Sequence, residues 1–217
     1  MGYWGEFVVV RSERSARELD PLNGGLCRRG HEDCLGSERA YGDAWQIVPV
    51  EHGVPGETAE TVRRLGEQTG APALICYVLD SDAGLVHGWS AHGGPWQTWF
   101  RPQYAAEYEL PVDLCYEDET GMPATAYTAA WHAEHDRLVR EMPGHARRVA
   151  AWAVEAGWSP DVDAVHHALI HDEPGWAEEQ FHRQLLAAMG APAPVAHGPL
   201  LVHHRRTVEG GRGAQST

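Results

Sequence analysis

The first apolar run, YWGEFVVVR at residues 3–11, is dense in aromatic and β-branched side chains and predicts a strand. AWQIVPV, residues 44–50, predicts a second strand. Its Pro49 has no N–H for a ladder, which places it at an edge or a strand end. Between them, residues 12–44 carry charge and glycine with little periodicity, and read as a long surface excursion with one short helix over 14–19. Over residues 57–70 the period changes. Ala59, Val62, Leu65 and Gly66 fall on one helical face, and Gly70 followed by Pro72 gives the stop. ALICYVLD, 73–80, is almost continuously apolar, as a strand buried on both faces must be. SDAG turns it into GLVHGWS and AHGG turns that into PWQTWF, which completes a β-meander over 73–101.

Residues 102–124 are transitional, with at most one helical turn. From Thr125 the apolar positions recur at helical spacing and predict helices over 126–142, 144–156, 161–172 and 175–189. Gly144, Gly157 and Gly190 sit at the breaks, and Ser159-Pro160 supplies an N-cap with proline at the first helical position. The fold class expected is α+β: an N-terminal mixed or antiparallel sheet with one packed helix over 1–124, then a C-terminal helical subdomain over 125–190. The tail, 191–217, is expected to be extended and largely disordered.

Charge narrows the function classes. Against 31 acidic residues stand 17 basic ones, for a net charge of −14. Such a surface repels phosphate backbones, so no nucleic-acid partner is expected; a basic protein partner or a cationic small molecule is favoured, with solubility alone as the other reading of the charge. All the basic residues are arginine. Without lysine there is no Schiff base, lysine general base or phosphate-loop lysine. No apolar run approaches the ~18–20 residues of a membrane span, and the first residues do not read as a signal peptide, so a cytoplasmic location without membrane association is expected. Without an export signal, Cys76 reads as a free thiol buried in its strand.

Candidate chemistry gathers on histidines. VHHALIHD, 165–172, sets His167 and His171 one turn apart on the side of the helix away from Val165, His166, Leu169 and Ile170. A pair so spaced can chelate a metal, as in zinc proteases, although Ala168 stands where those place a glutamate. The other reading is a solvated helix face. His135 shares a stripe with Trp131, Leu138 and Met142, and His145 shares one with Val149, Trp152 and Ala156. His135, His145 and His166 would therefore either converge to hold zinc or another divalent metal, or each be a half-buried histidine bonded to its surroundings. In CRRGHEDC, residues 27–34, Cys27, His31 and Cys34 have spacing for a zinc loop, with a disulfide or a plain polar loop as alternatives. Asp80 and Asp82 read either as a cation or acid–base pair or as turn formers. Trp96 and Trp99 point to opposite sheet faces. With Arg101 and Tyr104 they suggest a partner-binding face, against core packing as the alternative. No Gly-x-Ser-x-Gly elbow or Walker loop occurs.

Two resemblances add expectations. The stretch GHARRVAAWAVEAGWSPDVDAVHHALIHD, 144–172, resembles the opening of the HD phosphohydrolase pattern, which implies a divalent metal on His145, His171 and Asp172 for phosphate-ester hydrolysis. No aspartate follows Asp172, where that family places its closing ligand. The opening MGYWGEFVVVRSER, YVLDSD and the lysine-free composition are similar to an actinobacterial cytoplasmic protein family of unknown function, over the N-terminal two-thirds at most, which implies no activity. The function expected is a non-enzymatic binding protein of immunity or accessory type, engaging a basic partner through its acidic surface without a cofactor. The alternative is a metal-dependent hydrolase using the histidines of the helical subdomain.

Overall fold

The computed structural model describes residues 3–22, 39–42, 44–50, 53–54, 56–111, 114, 124–171 and 176–193. It is α+β. Strands β1 (Gly5–Arg11), β2 (Arg39–Tyr41), β3 (Trp45–Val50), β4 (Ala73–Leu79), β5 (Ala83–Ser90) and β6 (Gly94–Phe100) form one sheet in the order β2-β3-β1-β4-β5-β6. Every pairing is antiparallel. Pro49 lies opposite Phe7 of β1, near the end of β3 and beyond the three residues with which β2 pairs, so its missing N–H costs no bond on that side.

Both faces of the sheet are covered, which explains why β1 and β4 read as unbroken apolar runs. On one face Val8, Val10, Val48, Val50 and Ile75 pack against Val62 and Leu65 of helix α1 (Thr58–Thr69). Ala16, Leu19 and Leu22 join them. The excursion after β1 is therefore not all surface. A short 3-10 turn at Ala16–Glu18 carries it into the core, and β2 adds an edge strand further on. Gln46 holds this segment down. Its side chain accepts from the Ala16 N–H at 2.6 Å and donates to the carbonyls of Ser12 and Arg14. Helix α1 ends as its sequence predicts, with Gly70 left-handed and its N–H on the Gly66 carbonyl.

On the other face Phe7, Val9, Ile47, Leu74 and Cys76 meet the helices of the second half of the chain in a continuous apolar cluster. These helices are α3 (Thr125–Glu155), α4 (Val162–Ile170) and α5, which runs through Ala177–Gln180, a wide π-turn at Phe181–Leu185, and Leu186–Ala188. Helix α2 (Pro102–Glu109) links β6 to this layer and occupies what read as a transitional stretch. Trp152 donates its indole N–H to the carbonyls of Trp89 at 2.9 Å and Ala73 at 3.2 Å, and so fastens α3 to β4 and β5.

Two local expectations need correction. Residues 125–155 form one helix, with Pro143 inside it, and not two helices broken at Gly144. Leu138, Met142, Ala146, Val149, Ala150, Trp152 and Ala153 stay on one buried face across the proline. Pro143 itself lies on the exposed side, where water can take up the carbonyl it leaves unbonded. Helix α4 is capped by Asp161 and not by Ser159. The Asp161 carboxylate accepts from the N–H groups of Asp163 and Ala164 at 3.0 and 3.1 Å, and Pro160 precedes the helix.

Candidate functional site

The β4–β5 turn anchors the most distinctive surface of the molecule. Asp80 and Ser81 both adopt left-handed backbone conformations, with φ of 48° and 63°, and the Asp82 N–H closes the turn on the Leu79 carbonyl. Ser81 is only 2% exposed. Its hydroxyl accepts from the Tyr3 N–H at 2.7 Å and donates to the Glu178 carboxylate at 3.3 Å. Its N–H donates to the Tyr3 carbonyl, and its own carbonyl accepts from the Ala177 N–H and the Arg101 guanidinium. The turn thereby holds the residues before β1 beside the end of β6.

That placement sets Trp4 edge-on to Tyr108 of α2, with ring centroids 6.4 Å apart at 80°. Tyr108 lies over Trp99, and Trp99 donates its indole N–H to Glu109 at 2.6 Å. The strand register continues the surface, since Glu6, Tyr77, Leu85 and Trp99 stand opposite one another across β1, β4, β5 and β6. Trp4 is 46% and Tyr108 37% exposed, and Tyr77 and Leu85 are half-buried. Burial pushes the Tyr108 hydroxyl above its ordinary pKa, and the carboxylates of Asp82, Asp80 and Glu107 push it the same way. Burial and then Glu6 raise Tyr77 likewise. The patch is an aromatic floor with a carboxylate rim.

Of the residues singled out as a partner face, Trp99 forms part of this floor. Trp96 lies on the other face of the sheet, over Gly88 and against Trp152, at a centroid distance of 6.4 Å. Arg101 is 4% exposed, with its guanidinium under the Tyr104 ring at 4.7 Å. Asp80 and Asp82 are turn residues, and their carboxylates help to raise the pKa of Tyr108. Trp4 and Tyr108 are 104 residues apart in sequence and share no local period; the pairing of β1 with β4 and the bonds at Ser81 bring them together.

The histidines occupy separate settings. His135 stacks on Trp131 at 5.2 Å and has its Nδ1 3.4 Å from Asp136. His145 is half-buried, with Nε2 3.8 Å from Glu141, and burial first and Arg148 next lower its pKa. His166 is half-buried on α4, while His167 and His171 are exposed and stack on each other at 4.3 Å. Among the described residues, no three His, Cys, Asp or Glu side chains gather as a metal ion requires. Cys27, His31, Cys34 and Asp172 lie outside the described residues. Nor is any helix among those residues long and apolar enough to cross a membrane. Comparisons of the chain with protein-family models, with curated proteins and with solved structures each return no match, so the functional reading rests on its own residues.

Proposed function

We propose that the protein is a non-enzymatic binding protein, of immunity or accessory type, which engages a basic protein partner through the patch of Trp4, Tyr77, Leu85 and Tyr108. The observation that supports this most directly is the surrounding of Tyr108. Asp80, Asp82 and Glu107 all act on an exposed ring that meets a second exposed ring edge-on. Aromatic faces attract ammonium and guanidinium groups, and large rings anchor interfaces. The rim carboxylates add charge complementarity, and the net charge of −14 steers a basic partner from a distance.

The test is a titration with oligoarginine and oligolysine peptides, followed by tryptophan fluorescence at low and high salt. The wild type should bind saturably and lose affinity as salt rises. Trp4→Ala with Tyr108→Ala should weaken binding ~10-fold or more. Absence of saturable binding, or equal affinity in the double variant, would refute the reading. For the alternative, a metal-dependent hydrolase drawing on the helical histidines, the supporting observation is the stacked His167–His171 pair beside a cavity. Hydrolysis of a chromogenic phosphate ester by the purified chain with added Zn²⁺, abolished by a chelator, is expected of the hydrolase alone and separates the two.

A further inference from the structure

The end of α4 is built more firmly than an exposed helix end needs to be. Gln180, buried in α5, donates its side-chain N–H groups to the carbonyls of Ala168 at 2.8 Å and His171 at 3.0 Å. The Arg101 N–H takes the Leu169 carbonyl at 2.9 Å, and the His171 N–H returns to the His167 carbonyl at 2.9 Å. The last turn of α4 is thus clamped from two directions, and the backbone that carries His167 and His171 is fixed before anything binds.

On that clamped turn the two imidazoles lie one above the other, with centroids 4.3 Å apart and planes 24° from parallel. Both are exposed. An ion shared by two imidazoles sits about 2.0–2.1 Å from each ligating nitrogen, so rings this close reach a common ion by side-chain rotation alone. His167 also lines a cavity of ≈ 440 Å³ between α4 and α5, together with Ser159, Asp161, Ala164, Ala168 and Gln184. Asp161 brings a negative charge to the same cavity, which favours a cation at its rim.

We propose that His167 and His171 form a two-histidine site for a borderline transition-metal ion, Zn²⁺, Cu²⁺ or Ni²⁺, whose remaining coordination positions open at the mouth of this cavity. Imidazole suits these ions and not Mg²⁺ or Ca²⁺, which take oxygen ligands. Preorganisation of the backbone lowers the entropy lost on chelation. The proposal uses none of the residues of the patch at Trp4 and Tyr108 and holds or fails independently of that reading.

The full chain is titrated with Zn²⁺ by calorimetry and with Cu²⁺ by NMR. The wild type should show a saturable site, and Cu²⁺ should broaden the methyl signals of Ala164 and Ala168 first. His167→Gln and His171→Gln should each weaken that site ~10-fold or more and abolish the selective broadening. His92→Gln, at another exposed histidine, should leave both unchanged. Equal affinity in the His167 and His171 variants, broadening that spares Ala164 and Ala168, or loss in His92→Gln would overturn the proposal. Both substituted side chains are exposed, so the variants keep the fold.

Discussion

Tyr108 lies flat over Trp99, with centroids 6.1 Å apart and planes only 14° from parallel, so a residue of α2 shields the last strand of the sheet from water. Removing that ring uncovers the indole. Tyr108→Ala should shift tryptophan emission to the red and cost about 0.5–1.5 kcal/mol of stability. Tyr108→Phe keeps the stack and gives up only a 3.5 Å contact from its hydroxyl to the Leu79 carbonyl, so its stability should match the wild type in a denaturant melt.

Glu6 sits on the central strand at 3% exposure, where it accepts from the Val54 N–H and the Thr58 hydroxyl. Burial raises its pKa, and these two hydrogen bonds only partly oppose the rise. A carboxyl with a raised folded pKa contributes stability that is full below its unfolded value, ~4.3, and lost as pH climbs through the folded value. Glu6→Gln should therefore be more stable than the wild type at pH 7.5. The gap should close as pH falls toward 4.5, as read by urea melts at each pH. A gap that does not change with pH would show that the buried carboxylate is not the cause.

His87 and His145 have the opposite dependence. Burial is the first cause that lowers each, and Glu57 or Glu141 opposes it only in part. A histidine with a depressed folded pKa gives stability that is intact above its unfolded value, ~6.5, and lost as pH falls through the folded one. Thermal melts between pH 7.5 and 5 should show this loss, and His87→Gln together with His145→Gln should flatten it. NMR titration of the two rings should place both midpoints below the ordinary histidine value of ~6.5.

Gly66 of α1 faces the Trp89 ring, which occupies the space a β-carbon would need. Gly66→Ala gains helix propensity of up to ~1 kcal/mol but forces the ring or the helix aside, at about 1–3 kcal/mol. The loss wins, and a net fall in stability is expected from chemical denaturation. Three further aromatics use glycine in this way, Tyr3 against Gly5, Phe100 against Gly84 and Trp96 against Gly88, the last two pairs directly opposed in the β5–β6 register.

These pairs mark how far one dimension of sequence reached. The meander, the α1 stop at Gly70 and the apolar positions Leu138 and Met142, then Val149 and Trp152, read as stripes on two helices, were legible because each is a local period with local punctuation. Pro143-Gly144 misled because punctuation was weighed above phase, and the apolar stripe crosses the proline without a slip. The helical face of α4 was also legible, with Val165 and Leu169 buried and His167 and His171 in water. The patch was not. Trp4 and Tyr108 each look like an isolated ring, and a shared surface arises only from tertiary contacts, the pairing of β1 with β4 and the bonds at Ser81.

Ser81 also fixes when that contact forms. Its bonds to Tyr3 and Glu178 span 78 and 97 residues, and its carbonyl is shared by Arg101 and Ala177. Closing loops of that length is entropically late work for a folding chain. Ser81→Ala strands the Tyr3 N–H and one Glu178 oxygen, a loss of about 1–3 kcal/mol. In stopped-flow measurements most of that loss should appear as faster unfolding, with the folding limb nearly unmoved. The turn at Ser81 is then a latch on the finished molecule, and it governs how long the native state lasts more than how quickly it is reached.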